Sequence, residues 1–170
     1  FGAVLSHVKD GIARGSGTVV TLSNSKENFT ILKERASNHL SFNSGTSTQS
    51  YPSSLMGTIA LLRQTYLDAL WYKNNPSAEG VNITLKNWTD NLSLPQIFDV
   101  NARFSNGEIW NLLRADRIGK EFNASYIIKG TGKEYQRVNE LVKAKIPVIV
   151  GLNFPTAQDV EDPNDARFVS

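Results

Sequence analysis

Pro95-Gln-Ile-Phe-Asp-Val-Asn101, Ser125-Tyr-Ile-Ile-Lys-Gly-Thr131 and Pro147-Val-Ile-Val-Gly151 decide the fold. Each is a short, nearly continuous apolar run, as expected of a strand covered on both faces. They predict strands over 96–101, 125–129 and 147–150. Two helical patterns separate them. Ser105-x-x-Glu108 is a capping box opening a helix over 106–122, with Ile109, Leu112, Leu113, Ile118 and Phe122 facing inward. Thr131-x-x-Glu134 opens the next, marked by Tyr135, Val138, Leu141 and Val142 and ending near Lys145. The alternation predicts an α/β fold of parallel βαβ units with right-handed crossovers. Sites in such sheets lie at the C-terminal strand ends. Here those ends are Asp99-Val100-Asn101, Lys129-Gly130-Thr131 and Gly151-Leu152-Asn153.

Upstream, Pro52 to Tyr72 reads as a long helix. Leu55, Ile59, Leu62, Tyr66 and Ala69 recur at helical spacing, and Met56, Ala60, Leu61 and Leu67 widen the stripe. A helix so broadly apolar is expected to be largely buried. Pro52 suits its first turn, and Asn74-Asn75-Pro76 stops it. Gly17 to Leu22 reads as a strand, and Gly11, Gly15 and Gly17 let the chain bend or pass close to another backbone. Ile31 to Ala36 fits a strand or a helical turn. Ser37 to Ser54 and Asn74 to Leu94 read as polar loops, the second with one turn near Leu85 to Trp88. The expected organisation is one partial domain over 1–170: glycine-rich strand and polar loop 1–51, helix 52–73, loop 74–94, βαβαβ unit 95–151 and irregular tail 152–170.

Composition narrows the function. The chain has 170 residues, 40% apolar, with 18 basic and 16 acidic side chains and a net charge of +2. That balance argues against nucleic acid as a partner. No apolar run reaches the length of a membrane span. Cys is absent, and His occurs only at positions 7 and 39, so thiol chemistry is excluded and a zinc site is poorly supplied. Phe1 stands where an initiator Met would, and the first residues lack a basic n-region, so the reading expects a piece of something longer. Its partner is then the rest of its own polypeptide, and its open sheet edges are expected to pair artificially with another copy.

Three residues are the candidate site. Asp99 and Asn101 are two apart on a strand and share a face. A buried Asp needs a partner, and Lys129 at the end of the next strand supplies one. The trio reads either as a structural ion pair or as a catalytic or ligand-binding group. Lys129-Gly130-Thr131-Gly132-Lys133 fails the phosphate-loop pattern, though its free N–H groups would suit an anion. Ser53 and Ser54 read as helix caps, since no Gly-x-Ser-x-Gly elbow exists. His39 reads as solvated or locally hydrogen-bonded. Asn28, Asn82, Asn87, Asn91 and Asn123 head glycosylation sequons, which matter only if the source glycosylates.

Pro52-Ser-Ser-Leu-Met-Gly57-Thr-Ile-Ala-Leu-Leu-Arg63-Gln-Thr-Tyr-Leu-Asp-Ala69 resembles the helix Pro-x-x-x-Met-Gly-x-x-x-Leu-Leu-Arg-x-x-x-x-x-Ala of imidazolonepropionase-related amidohydrolases. Pro95 to Gly151 resembles that family's barrel strands and helices, and Gly11 to Leu22 its preceding glycine-rich strand. The nearest likeness is to the degenerate amidohydrolase half of large bacterial proteins of Bacteroidetes type. The resemblance implies part of a (β/α)8 TIM-like barrel. It also implies a family chemistry in which zinc or another divalent metal activates water to hydrolyse amide-like C–N bonds. The metal ligands do not carry over. Asp99-Val100-Asn101 stands where related enzymes have His-Ala-His, and Lys129-Gly130-Thr131 where they have Glu-His-Gly. Gly130 ligates nothing, Asn101 replaces imidazole poorly, and Lys129 brings a positive charge. The expectation is a fragment without a cofactor of its own and with degenerate metal positions. The alternatives are a hydrolase completed by outside ligands and an anion-binding α/β module.

Overall fold

A computed structural model describes residues 2–75, 80–101, 110–132 and 134–151. Six strands form one mixed sheet in chain order: β1 (Ala3–Ser6), β2 (Ala13–Thr21), β3 (Ile31–Ser41), β4 (Gln96–Asp99), β5 (Tyr126–Lys129) and β6 (Val148–Ile149). β1, β2 and β3 run antiparallel. From β3 onward every pairing is parallel, with Ser41 beside Asp99 and Asp99 beside Lys129. The helices are α1 (Glu27–Thr30), α2 (Leu55–Asn74), α3 (Ile83–Asn91), α4 (Trp110–Glu121) and α5 (Val138–Ala144), the last preceded by a 3-10 turn at Glu134–Arg137. The capping box at Ser105 and Glu108, Ile109, Lys133 and the tail from Leu152 lie outside the described residues.

Strand alternation sorts the side chains. Leu40, Phe42, Phe98, Val100, Tyr126 and Ile128 enter one core with Leu62 and Tyr66 of α2, Leu112, Ala115 and Ile118 of α4, and Leu141 of α5. Each large apolar side chain buried there contributes about 1.5–3 kcal/mol. Tyr66 sits at the centre. Its ring stacks on Phe122 at 4.7 Å between centroids and meets Trp88 edge-on at 5.5 Å. Its hydroxyl shares a 2.6 Å hydrogen bond with that of Tyr126.

Several local expectations change. Ile31 to Ala36 is strand, and β3 continues through Ser41, so the polar run from Ser37 is not loop at its start. Polarity misled there because Ser37, His39 and Ser41 are buried on the sheet face opposite the core. The helix expected from Pro52 begins at Leu55. Ser54 caps it, its Oγ accepting the Gly57 N–H at 3.1 Å. It is also not largely buried. Thr58, Leu62, Tyr66 and Ala69 are covered, whereas Met56 is 81% exposed and Leu67 53%. The stretch read as loop from 74 to 94 contains α3, capped by Asn82 through the Leu85 N–H at 3.1 Å. Val138 and Val142 of α5 are exposed, and only Leu141 is covered. Among the described residues no helix is long and apolar enough to cross a membrane.

Candidate functional site

The parallel register brings the predicted residues together. Asp99 is the last residue of β4, Lys129 the last of β5, and the two are register partners. Lys129 Nζ donates to Asp99 Oδ2 at 3.2 Å. Asn101 reaches back, donating from Nδ2 to Asp99 Oδ1 at 2.8 Å and from its backbone N–H to the same oxygen at 3.2 Å. The shared face and the Asp–Lys pair are therefore both present.

A fourth member escaped the sequence reading. Arg14 of β2 donates from a terminal guanidinium nitrogen to Asp99 Oδ2 at 3.0 Å, with 5% of its side chain exposed. Its Nε donates to the Gly11 carbonyl at 3.1 Å. A lone arginine between glycines of a strand is the signal that was available. Once buried, its charge requires a carboxylate. Burial alone would raise the Asp99 pKa, but the hydrogen bonds from Arg14 and Asn101 and the charge of Lys129 outweigh it. The carboxyl sits below its ordinary 3.8 and stays ionised.

The turn after β5 serves its own helix. Glu134 accepts the backbone N–H groups of Thr131 and Gly132. A Cβ on residue 130 would press on that carboxylate, the mobile end of the Glu134 side chain. Two of the N–H groups that an incoming anion would need, those of Thr131 and Gly132, are thus already donated to Glu134, and Lys133 lies outside the described residues. The capping-box expectation holds in its Glu arm.

His39 is not solvated and lies on a strand rather than in a loop, but it is locally hydrogen-bonded, the other alternative the sequence left open. It is 3% exposed on β3, with Nε2 2.8 Å from Ser37 Oγ. Its ring stacks on His7 at 3.8 Å between centroids. Gly17 makes room, since a Cβ there would lie 2.6 Å from His39 Nε2. Burial, then the neighbouring charges of His7 and Arg14, push the His39 pKa down to about 4. The segment joining β1 to β2 crosses here and is pinned again where Asp10 accepts the Thr46 N–H at 2.9 Å and its hydroxyl at 2.6 Å.

A divalent metal does not fit this arrangement. Both Asp99 oxygens are engaged by donors, two cations flank them, and the Asn101 amide nitrogen faces the carboxylate. Among the described residues no group of three His, Cys, Asp or Glu side chains gathers to hold an ion.

No family model and no curated protein matches the chain. One solved structure, an amidohydrolase from Thermotoga maritima MSB8, is similar at 20% identity with a TM-score of 0.74. The likeness covers 94% of this chain and 45% of that one, so the chain spans less than half the length of the structure it matches. At that identity the likeness is one of fold: this mixed α/β sheet with its helices has the architecture of part of an amidohydrolase.

Proposed function

We propose that the chain is a stretch of an imidazolonepropionase-related amidohydrolase (β/α)8 barrel with degenerate metal positions, structural and non-catalytic by itself within a longer polypeptide. The observation that carries this reading is the charge arrangement at Asp99. In a barrel of this kind the strand ends would gather ligands around a cation. Here the Asp99 carboxylate at the end of β4 already holds an arginine and a lysine. A metal would have to displace two hydrogen-bonded cations and then accept an amide in place of imidazole. The triad instead ties β2, β4 and β5 together, which suits a supporting role. The fold likeness supports the barrel assignment, and the helix motif from Pro52 to Ala69 supports the finer family.

Inductively coupled plasma mass spectrometry after zinc loading and dialysis tests the reading. The expected result is no stoichiometric metal in wild type and no difference in Asp99→Ala. Near-stoichiometric zinc that Asp99→Ala removes would overturn it and make Asp99 and Asn101 ligands of a working hydrolase.

A further inference from the structure

Among the described residues the outer face of α2 has no partner. α3 flanks the helix on one side, where Thr89 Oγ1 reaches the Ala69 carbonyl at 3.4 Å. α4 flanks it on the other, where Arg63 pairs with Glu121 at 2.8 Å. Opposite the buried stripe of Thr58, Leu62, Tyr66 and Ala69 run Met56, Ala60, Leu67 and Trp71, spaced four, seven and four residues apart. Met56 is 81% exposed, Leu67 53%, Trp71 45% and the adjacent Leu70 40%.

We propose that this face is an interface between two copies of the chain, formed by antiparallel pairing of α2 about a two-fold axis near Arg63 and Gln64. The face is complementary to itself. Its N-terminal half carries a groove lined by Leu55, Met56, Ile59 and Ala60, closed at the side by Arg63 and Arg114. Its C-terminal half carries the protruding Leu67 and Leu70 on the same flank as that groove. A two-fold axis across the helix sets each copy's Leu67 against its partner's Ala60, and Trp71 against Met56, so knobs enter grooves twice. Arg63 brings its own counter-ion, Glu121, to the centre. The four large exposed side chains offer on the order of 450 Å² per copy, the size of the apolar core of an interface burying about 800 Å² per partner.

Sedimentation equilibrium on the 170-residue chain should show a monomer–dimer exchange, and Leu67→Asp should weaken it by at least about tenfold with helix content unchanged. The native chain lacks Cys, so introduced thiols report geometry cleanly. Mixed Ala60→Cys and Leu67→Cys chains should cross-link to each other under oxidation. Each alone should cross-link poorly, because residues 60 and 67 lie about 10 Å apart along the axis. A monomer at every concentration, a dimer that survives Leu67→Asp, or no mixed cross-link would each overturn the proposal. A surviving dimer would put the contact at a sheet edge.

Discussion

Arg14 on β2 and Asp99 at the end of β4 meet at 3.0 Å, although 85 residues separate them in sequence. Their side chains are 5% and 11% exposed. Removing one partner of so buried a pair leaves the other charge stranded. Asp99→Asn is expected to cost about 3–5 kcal/mol in urea unfolding. Lys129→Ala should cost no more than about 1 kcal/mol, since Lys129 is 48% exposed and water screens it. Equal losses would mean that Arg14 is not the dominant partner. The carboxyl's depressed pKa gives the same pair a pH signature. Its stabilisation is complete above the unfolded value near 3.8 and is lost as pH falls through the lower folded value.

Gly17→Ala tests the close approach of β2 to His39. The new methyl would fall 2.6 Å from His39 Nε2 and 3.0 Å from Ser37 Oγ, inside van der Waals contact with both. The imidazole must shift, straining the Ser37 hydrogen bond and the His7 stack. A loss of about 1–3 kcal/mol in thermal or urea unfolding is expected. No loss would show that the ring moves aside freely.

The strands of 95–151 were legible because apolar runs, short connections and a capping box all agree there. Asp99, Asn101 and Lys129 followed from register alone. What was hidden has one physical cause: a buried polar side chain looks like a loop residue until its partner is known. Ser37, His39 and Ser41 made the second half of β3 read as loop. Arg14 sat unnoticed among glycines because its carboxylate lay 85 residues away. The breadth of apolar residues on α2 misled in the opposite direction. It promised burial all round, yet the fold covers only one side.

The Tyr66–Tyr126 contact separates a polar cost from a packing cost. The hydroxyls are 2.6 Å apart inside the core, and burial raises both phenols' pKa values, so neither ionises near neutral pH. Tyr66→Phe leaves the Tyr126 hydroxyl without this partner, which should cost about 1–3 kcal/mol. The double variant Tyr66→Phe with Tyr126→Phe should recover part of that loss, because nothing polar is then stranded. A double variant as unstable as the sum of the singles would mean that the two hydroxyls are not energetically coupled, which would overturn the hydrogen bond's contribution.

His39 should make the chain sensitive to mild acid. Its pKa is about 4 when folded against an ordinary 6.5. Above pH 6.5 both states are neutral, and the stack with His7 contributes in full. Between 6.5 and 4 the unfolded chain binds a proton that the folded chain refuses, so stability falls with pH. Below 4 both states are protonated and the loss stops growing, at on the order of 3 kcal/mol. The imidazolium would form beside His7 and the Arg14 guanidinium, so the first contact to open should be the His7 crossing. His39→Gln keeps a hydrogen-bonding group near Ser37 without a titrating proton. Urea unfolding from pH 7.5 to 4 should therefore show a smaller pH slope in His39→Gln than in wild type. Matching slopes would assign the acid sensitivity to carboxylates such as Asp99, and a His39 proton resonance titrating near 6.5 would contradict its burial.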